Sequence, residues 1–461
     1  MFEDSTTQCF LFPELFDRLT VAQFDQVEGS SDGGAIMLQA AERRLGIMAA
    51  LADCMKDDRQ AGKVRHELEE LLRQRVMAIA CGYEDANDAA RLASDPVHKL
   101  LAGRDPQKSD EDLASQPTLS RFENSMDRKE LFCMAEALAE AVIERHHKRL
   151  HGRARRITID LDPTDDPTHG QQQLSFFNAH YDTHCYLPLL GFVTFNDEGE
   201  QYLVTAVLRP GNAPGAQGAV GILRRLIALL RQAFPKAMIR VRLDGGFAAP
   251  EVLDFLDSQK GLEYVVNMAS NKVLDRLVEP ALAKARALSQ ASGETEHVYG
   301  DFRYQTKTTW PHKRRIIYKA EVVRHPGRDP KDNPRFVITN LKQKPQWIYE
   351  QVYCKRGDIE NRIKELHHGM QIDRTSCTSF WANQFRVLMT AAAYVLMQEL
   401  RLRLARTSYA RAQVSTLRER LLKVGVRVVV SVRRIVLHFP RAFADAASLH
   451  RLALSLGAQS G

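Results

Sequence analysis

Two stretches far apart in the chain, RITIDLD (Arg156–Asp162) and AMIRVRLDGGF (Ala237–Phe247), set the tightest limit on what this sequence can fold into. Apolar and polar residues alternate in both, the period at which neighbouring side chains of a strand face opposite ways. Ile157, Ile159 and Leu161 share one face of the first, with Thr158, Asp160 and Asp162 on the other. Pro163 cannot continue a central ladder, so the strand ends at Asp162. In the second, Ile239, Val241 and Leu243 alternate with Arg240, Arg242 and Asp244 before Gly245 and Gly246 stop the run. One aspartate on a strand tip is usually a turn former; two such tips point to shared chemistry. Functional groups in such sheets gather beyond the carboxyl ends of the strands. That favours Asp162 as the usable carboxylate, while Asp160, one step deeper, stays open.

The surrounding pattern is α/β. Residues 1–150 carry apolar residues at three- and four-residue spacing, the mark of amphipathic helices. From residue 151 the order is strand, strand, strand, helix, strand, helix, strand, which implies a mixed sheet with helices packed on it. A β-rich block follows over 294–342, and the chain then turns helical, with a late strand pair in GVRVVVSVRRIVLHFP. This divides the chain into 1–150, 151–293, 294–342 and 343–461.

The 461 residues carry a formal charge of +7, the sign expected for a nucleic-acid partner. Seven scattered cysteines form no CxxC pair, which speaks against a zinc finger and a disulfide framework. No basic region followed by an apolar run opens the chain, and no stretch is apolar enough to span a bilayer. The expectation is a cytoplasmic, nucleoid-associated protein of a bacterium with no membrane partner. No glycine-rich stretch matches a nucleotide-phosphate loop, and no GxSxG supports a serine nucleophile.

A third block, YCKRGDIENRIKELHHG, completes the constellation. On one continuous helix, Tyr353, Arg356, Glu360, Lys364 and His367 fall on a single stripe, within roughly 80° at about 100° per residue. A charged stripe is most often a solvated face with i,i+4 pairs. Beside two aspartates it offers more. Three converging carboxylates cannot all stay ionised without a counter-charge, and oxygen-only ligands suit Mg²⁺ or Mn²⁺. Two such ions support phosphoryl transfer, and Arg356 and Lys364 would hold phosphates.

With these residues in view, the chain resembles DDE insertion-sequence transposases. DLDPTDDPTHGQQ is similar to the first-aspartate block, RLDGGF to the second, and Tyr353, Arg356 and Glu360 match three positions of a Tyr-Arg-Glu-Lys signature. His367 stands where that signature has lysine, with Lys364 as a substitute. YDTHCYLPLL and LRPGN are similar to the insertion-sequence family numbered thirteen-eighty. The resemblance implies a ribonuclease-H-like core with Asp162, Asp244 and Glu360 holding two metal ions. It implies Tyr353, Arg356, Asn361, Lys364 and His367 on element-end DNA, and a homodimer that pairs two ends. The β-rich insertion would add Lys313, Arg314 and Arg315 as phosphate contacts and Trp310 as a base-stacking ring. The N-terminal helices would recognise the terminal inverted repeats. A metal-dependent nuclease and an inactive DNA-binding derivative are the alternatives.

Overall fold

The computed structural model describes residues 9–10, 17–18 and 20–459. The question of a leader falls largely on residues outside these. The N-terminal region is helical, its longest members being α1 (Leu68–Ala80) and α2 (Arg128–Leu150). Helix α2 starts on a capping box: the Asp127 carboxylate accepts the Lys129 and Glu130 N–H groups, and Glu130 accepts the Asp127 N–H.

A long mixed sheet begins with β1 (Arg156–Pro163), β2 (Leu189–Phe195) and β3 (Tyr202–Val207), an antiparallel set. Helix α3 (Ala219–Ala233) then carries the chain to β4 (Met238–Leu243), and α4 (Pro250–Ser258) to β5 (Leu262–Met268). Both β1 and β5 run parallel to β4. After α5 (Lys272–Ser292) come β6 (Glu296–Tyr304), β7 (Arg314–Val323) and β8 (Arg335–Thr339). The strand order is β6-β7-β8-β5-β4-β1-β2-β3. The β-rich block therefore extends the same sheet, because β8 pairs antiparallel with β5.

Helix α6 (Asp358–Met370) leads to α7 (Phe380–Arg403), which is buried along nearly its whole length. Helix α7 solves the problem of an exposed sheet edge. Gln384 accepts from the Leu208 N–H at 2.6 Å and donates to the Ala206 carbonyl at 3.2 Å. Gln398 accepts from the Leu203 N–H at 3.1 Å and donates to the Gln201 carbonyl at 2.7 Å. Two glutamines on a buried helix thus satisfy both ends of β3, whose backbone has no further strand to pair with. The late strand pair is β9 (Val426–Ser431) and β10 (Arg434–His438), with β9 also pairing to Gly29–Ser30.

Two expectations need correction. A disulfide joins Cys54 to Cys133, near the start of α2, although the scattered cysteines spoke against a disulfide framework. The stripe helix is not continuous: Ile348–Tyr353 winds as a π-helix and Cys354–Gly357 as a 3₁₀-helix before α6 begins. The Arg242 guanidinium donates to the Val352 carbonyl inside this stretch at 3.2 Å, and a side chain inserted there perturbs the helical ladder. Glu360, Lys364 and His367 stand on α6 itself, while Tyr353 and Arg356 stand on the irregular turns before it. The β-rich block shares the central sheet. Among the described residues no helix is long and apolar enough to cross a membrane.

Replacing Gln398 by alanine leaves the Leu203 N–H buried without its partner, a cost of about 1–3 kcal/mol. Urea unfolding of Gln398→Ala should show that loss with no change in the dependence on denaturant.

Candidate active site

The parallel pair β1 and β4 brings Asp162 and Asp244 to the same end of the sheet. Asp160 pairs with Arg242 in the ladder, and Asp162 and Asp244 each lie two residues further along. Asp244 caps the turn Gly245–Phe247, its Oδ1 accepting the Gly246 N–H at 2.9 Å. Only one of its oxygens is used so. The glycines serve close packing: a Cβ on Gly215 would lie 3.0 Å from the Gly246 carbonyl oxygen.

Arg356 stands between the two aspartates. Its Nη2 donates to Asp162 Oδ1 at 2.7 Å and lies 3.7 Å from Asp244 Oδ2. Its Nε is buried without a partner. Burial pushes the Asp162 carboxyl up to about 7. Arg356 opposes that rise, while Asp244, Glu360 and Asp160 add to it by charge repulsion. Desolvation thus outweighs one close guanidinium, and the charges of three further carboxylates act in the same direction. Glu360 reaches this neighbourhood from the exposed side of the first turn of α6.

Asp160, left open as a metal ligand, is taken up elsewhere. It is fully buried and holds Arg242 in a two-pronged pair, Nε to Oδ1 at 2.7 Å and Nη2 to Oδ2 at 2.6 Å. Gln201 Nε2 adds a third hydrogen bond at 2.9 Å. Both carboxylate oxygens are occupied by this internal pair, so the outer position belongs to Asp162.

His367, expected on DNA, faces inward. Its Nδ1 lies 3.0 Å from Asp373 Oδ2 and its Nε2 2.9 Å from Thr164 Oγ1. It ties α6 to the segment leaving Asp162. Asn361 and Lys364 are exposed on α6 beside Glu360, and Tyr353 is half-buried against Tyr349.

The insertion residues divide. Trp310 is only 6% exposed, edge-on to Tyr304 and under the Arg314 guanidinium, so it is a packed core ring and not a free stacking platform. Arg314 is buried and paired with Asp254 and Asp257. Arg315 pairs with Asp301 and donates to the Leu341 and Gln343 carbonyls. Lys313 alone of the three is exposed without an ion pair among the described residues.

Two residues near the carboxylates were not singled out from sequence. Burial and the charges of Asp165, Asp162 and Asp244 push the Tyr181 hydroxyl up to about 12. Burial draws Arg209 down to about 10, with Tyr181 and Asp244 opposing. Arg209 donates to the Leu187, Pro214, Gly215 and Gln217 carbonyls and keeps Nη2 unpartnered. Both lie in the segments YDTHCYLPLL and LRPGN, so a signal was present, but no spacing rule links them to the aspartates.

The residues at the strand ends fit a divalent cation. They are hard oxygen donors, they repel one another, and a protein cation already lies between two of them. Their oxygens are not yet gathered as ligands. Among the described residues, the group of three potential ligands whose atoms lie within 4.8 Å of one another is Asp32, Cys81 and His98. That group has its own cation: Lys423 Nζ lies 2.9 Å from Asp32 and 3.7 Å from the centre of the Tyr83 ring.

A family model described as transposase DDE domain, group 1, matches residues 12–460. No curated protein matches the chain.

Two variants separate the neighbouring aspartates. Asp160→Ala strands Arg242 as a buried charge and should cost about 3–5 kcal/mol in urea unfolding. Asp162 binds its proton more tightly folded than unfolded, so its ionisation destabilises the fold as pH rises from the ordinary carboxylate range through about 7. Asp162→Asn should therefore raise Tm relative to the parent in alkaline buffer and lose that advantage in acid.

Proposed function

Because this chain belongs to the transposase DDE domain, group 1 family, we propose that it cuts DNA at the terminal inverted repeats of a mobile element and joins the freed 3′ ends to target DNA. What supports this reading is that Asp162 and Asp244 stand on either side of Arg356 at the strand ends, 2.7 and 3.7 Å from its Nη2, and that the charge of Glu360 acts on Asp162 from the start of α6. The strand order β3-β2-β1-β4-β5, with β1, β4 and β5 parallel and β2 and β3 antiparallel, supports a ribonuclease-H-like core. Assignment to the insertion-sequence branch numbered thirteen-eighty rests on YDTHCYLPLL and LRPGN.

Asp162, Asp244 and Glu360 would hold two Mg²⁺ or Mn²⁺ ions, which when bound supply activation of the attacking oxygen and neutralisation of the leaving one. The chain's own residues prepare that chemistry. Arg242 holds β1 and β4 in register through Asp160, so the two aspartates stay side by side. His367 fixes α6 against Thr164 and with it the direction from which Glu360 approaches. Arg356 lowers the repulsion between the aspartates while the site is free of substrate. Its guanidinium suits a phosphate equally well, so DNA would draw it from Asp162. Lys364 and Asn361 lie exposed on the Glu360 side of α6 and would steady the DNA backbone. Lys313 would add a contact from the β-rich block. The N-terminal helices would read the inverted repeats, and two copies of the chain would bring two ends together.

Supercoiled plasmid carrying two element ends, incubated with the protein and Mg²⁺, tests the reading. Nicked ends followed by joined products are expected. Glu360→Gln should reduce both by at least about 100-fold, the scale on which one electrostatic partner of a transition state acts. Cleavage without joining would identify a nuclease instead, and equal activity of Glu360→Gln would remove that residue from the chemistry.

A further inference from the structure

The C-terminal hairpin β9–β10 carries features that the carboxylate site does not use. Its cross-strand pairs run from Arg427–His438 to Ser431–Arg434, with Val432 and Arg433 at the tip. The face bearing Val426 and Val428 is buried, and Leu437 packs against the core. Arg427, Ser431, Arg434 and His438 fall on the opposite, exposed side. From Gly425 to Phe443 the chain has four arginines and no acidic residue. Arg427 pairs with Glu28, but Arg433, Arg434 and Arg441 are exposed and have no ion pair among the described residues. An apolar group stands at the tip: Val432 is fully exposed, while Ile435, opposite Val430 on the other face, is 45% exposed.

Charged edge strands commonly serve to block unwanted pairing. That role needs no exposed valine at the tip and no one-sided charge. A ribbon of two strands, about 4.8 Å apart, fits the roughly 12 Å major groove, and apolar tips wedge against bases. Exclusively positive charge selects a polyanion over a protein surface.

We propose that the β9–β10 hairpin is a duplex-DNA contact in which Arg433, Arg434 and Arg441 bind backbone phosphates and Val432 meets the base edges. This rests on the reading of the chain as a DNA-acting enzyme, yet it assigns a surface separate from the carboxylates. Anisotropy of a short fluorescein-labelled duplex of random sequence, titrated with full-length protein over a salt series, tests it. Arg433→Glu/Arg434→Glu should weaken binding at least tenfold at low salt and reduce the salt slope by about two, one per lost phosphate contact. Arg433→Lys/Arg434→Lys should restore most of both. A photo-crosslinking residue at Val432 should give a DNA adduct, a readout that survives if the glutamate variant misfolds. Parent-level binding by a folded glutamate variant, with no adduct at Val432, overturns the hairpin assignment. So does intact DNA binding with loss of self-association, which would mark a subunit interface. Failure of the unmodified protein to bind any duplex would instead overturn the DNA-acting reading on which the assignment stands.

Discussion

The Arg242 guanidinium is the interaction on which the rest of the architecture turns. It projects from β4, grips the buried Asp160 of β1 with two hydrogen bonds, and donates to the Val352 carbonyl just before Arg356 and α6. One side chain thereby joins three segments distant in sequence, each carrying one of the proposed functional groups. A buried ion pair contributes little net stability over apolar packing, but it is intolerant of a missing partner. Its contribution here is register. A slip of one residue between β1 and β4 would turn every side chain to the other face and separate Asp162 from Asp244.

Beyond this internal pair the balance of charge reverses. Asp160 has its counter-charge within the core, whereas Asp162 shares one guanidinium with Asp244 and feels Glu360 as well. The result is a carboxyl held protonated more readily than usual, at the place where the sheet opens to solvent. On the proposed function such a site would take an external cation, and Arg356 offsets part of the repulsion without one. The same residue can therefore serve the free protein by pairing with carboxylates and a bound complex by pairing with phosphate. This arginine stands in the irregular winding from Ile348 to Gly357, just before α6.

Scaffolding of the site comes from burial elsewhere. Helix α7 covers the β3 edge with two glutamines and connects to α6 through Glu365, which accepts from Arg401 at 2.6 Å and from the Tyr394 hydroxyl at 2.7 Å. The α6 face opposite Glu360 is thus anchored in the core, leaving Glu360, Asn361 and Lys364 outward. His367 holds the same helix against Thr164. Most of the charged stripe expected from spacing is thereby divided between anchoring and exposure.

Sequence alone determined the strands, their tips and the residue types that cluster there. Alternation and turn residues are local properties, and an aspartate after an apolar strand is visible without coordinates. The long amphipathic helices and the late hairpin were legible for the same reason. Only the tertiary structure decided how the two aspartates differ, because Asp160 and Asp162 share a face, yet Arg242 and Gln201 reach Asp160 whereas Arg356 reaches Asp162. It decided too that Trp310, Arg314 and Arg315 are internal, that His367 turns to Thr164, and that Cys54 meets Cys133. Most of these depend on partners dozens or hundreds of residues away. No local pattern records whether a polar group's counterpart lies in the protein or must come from outside.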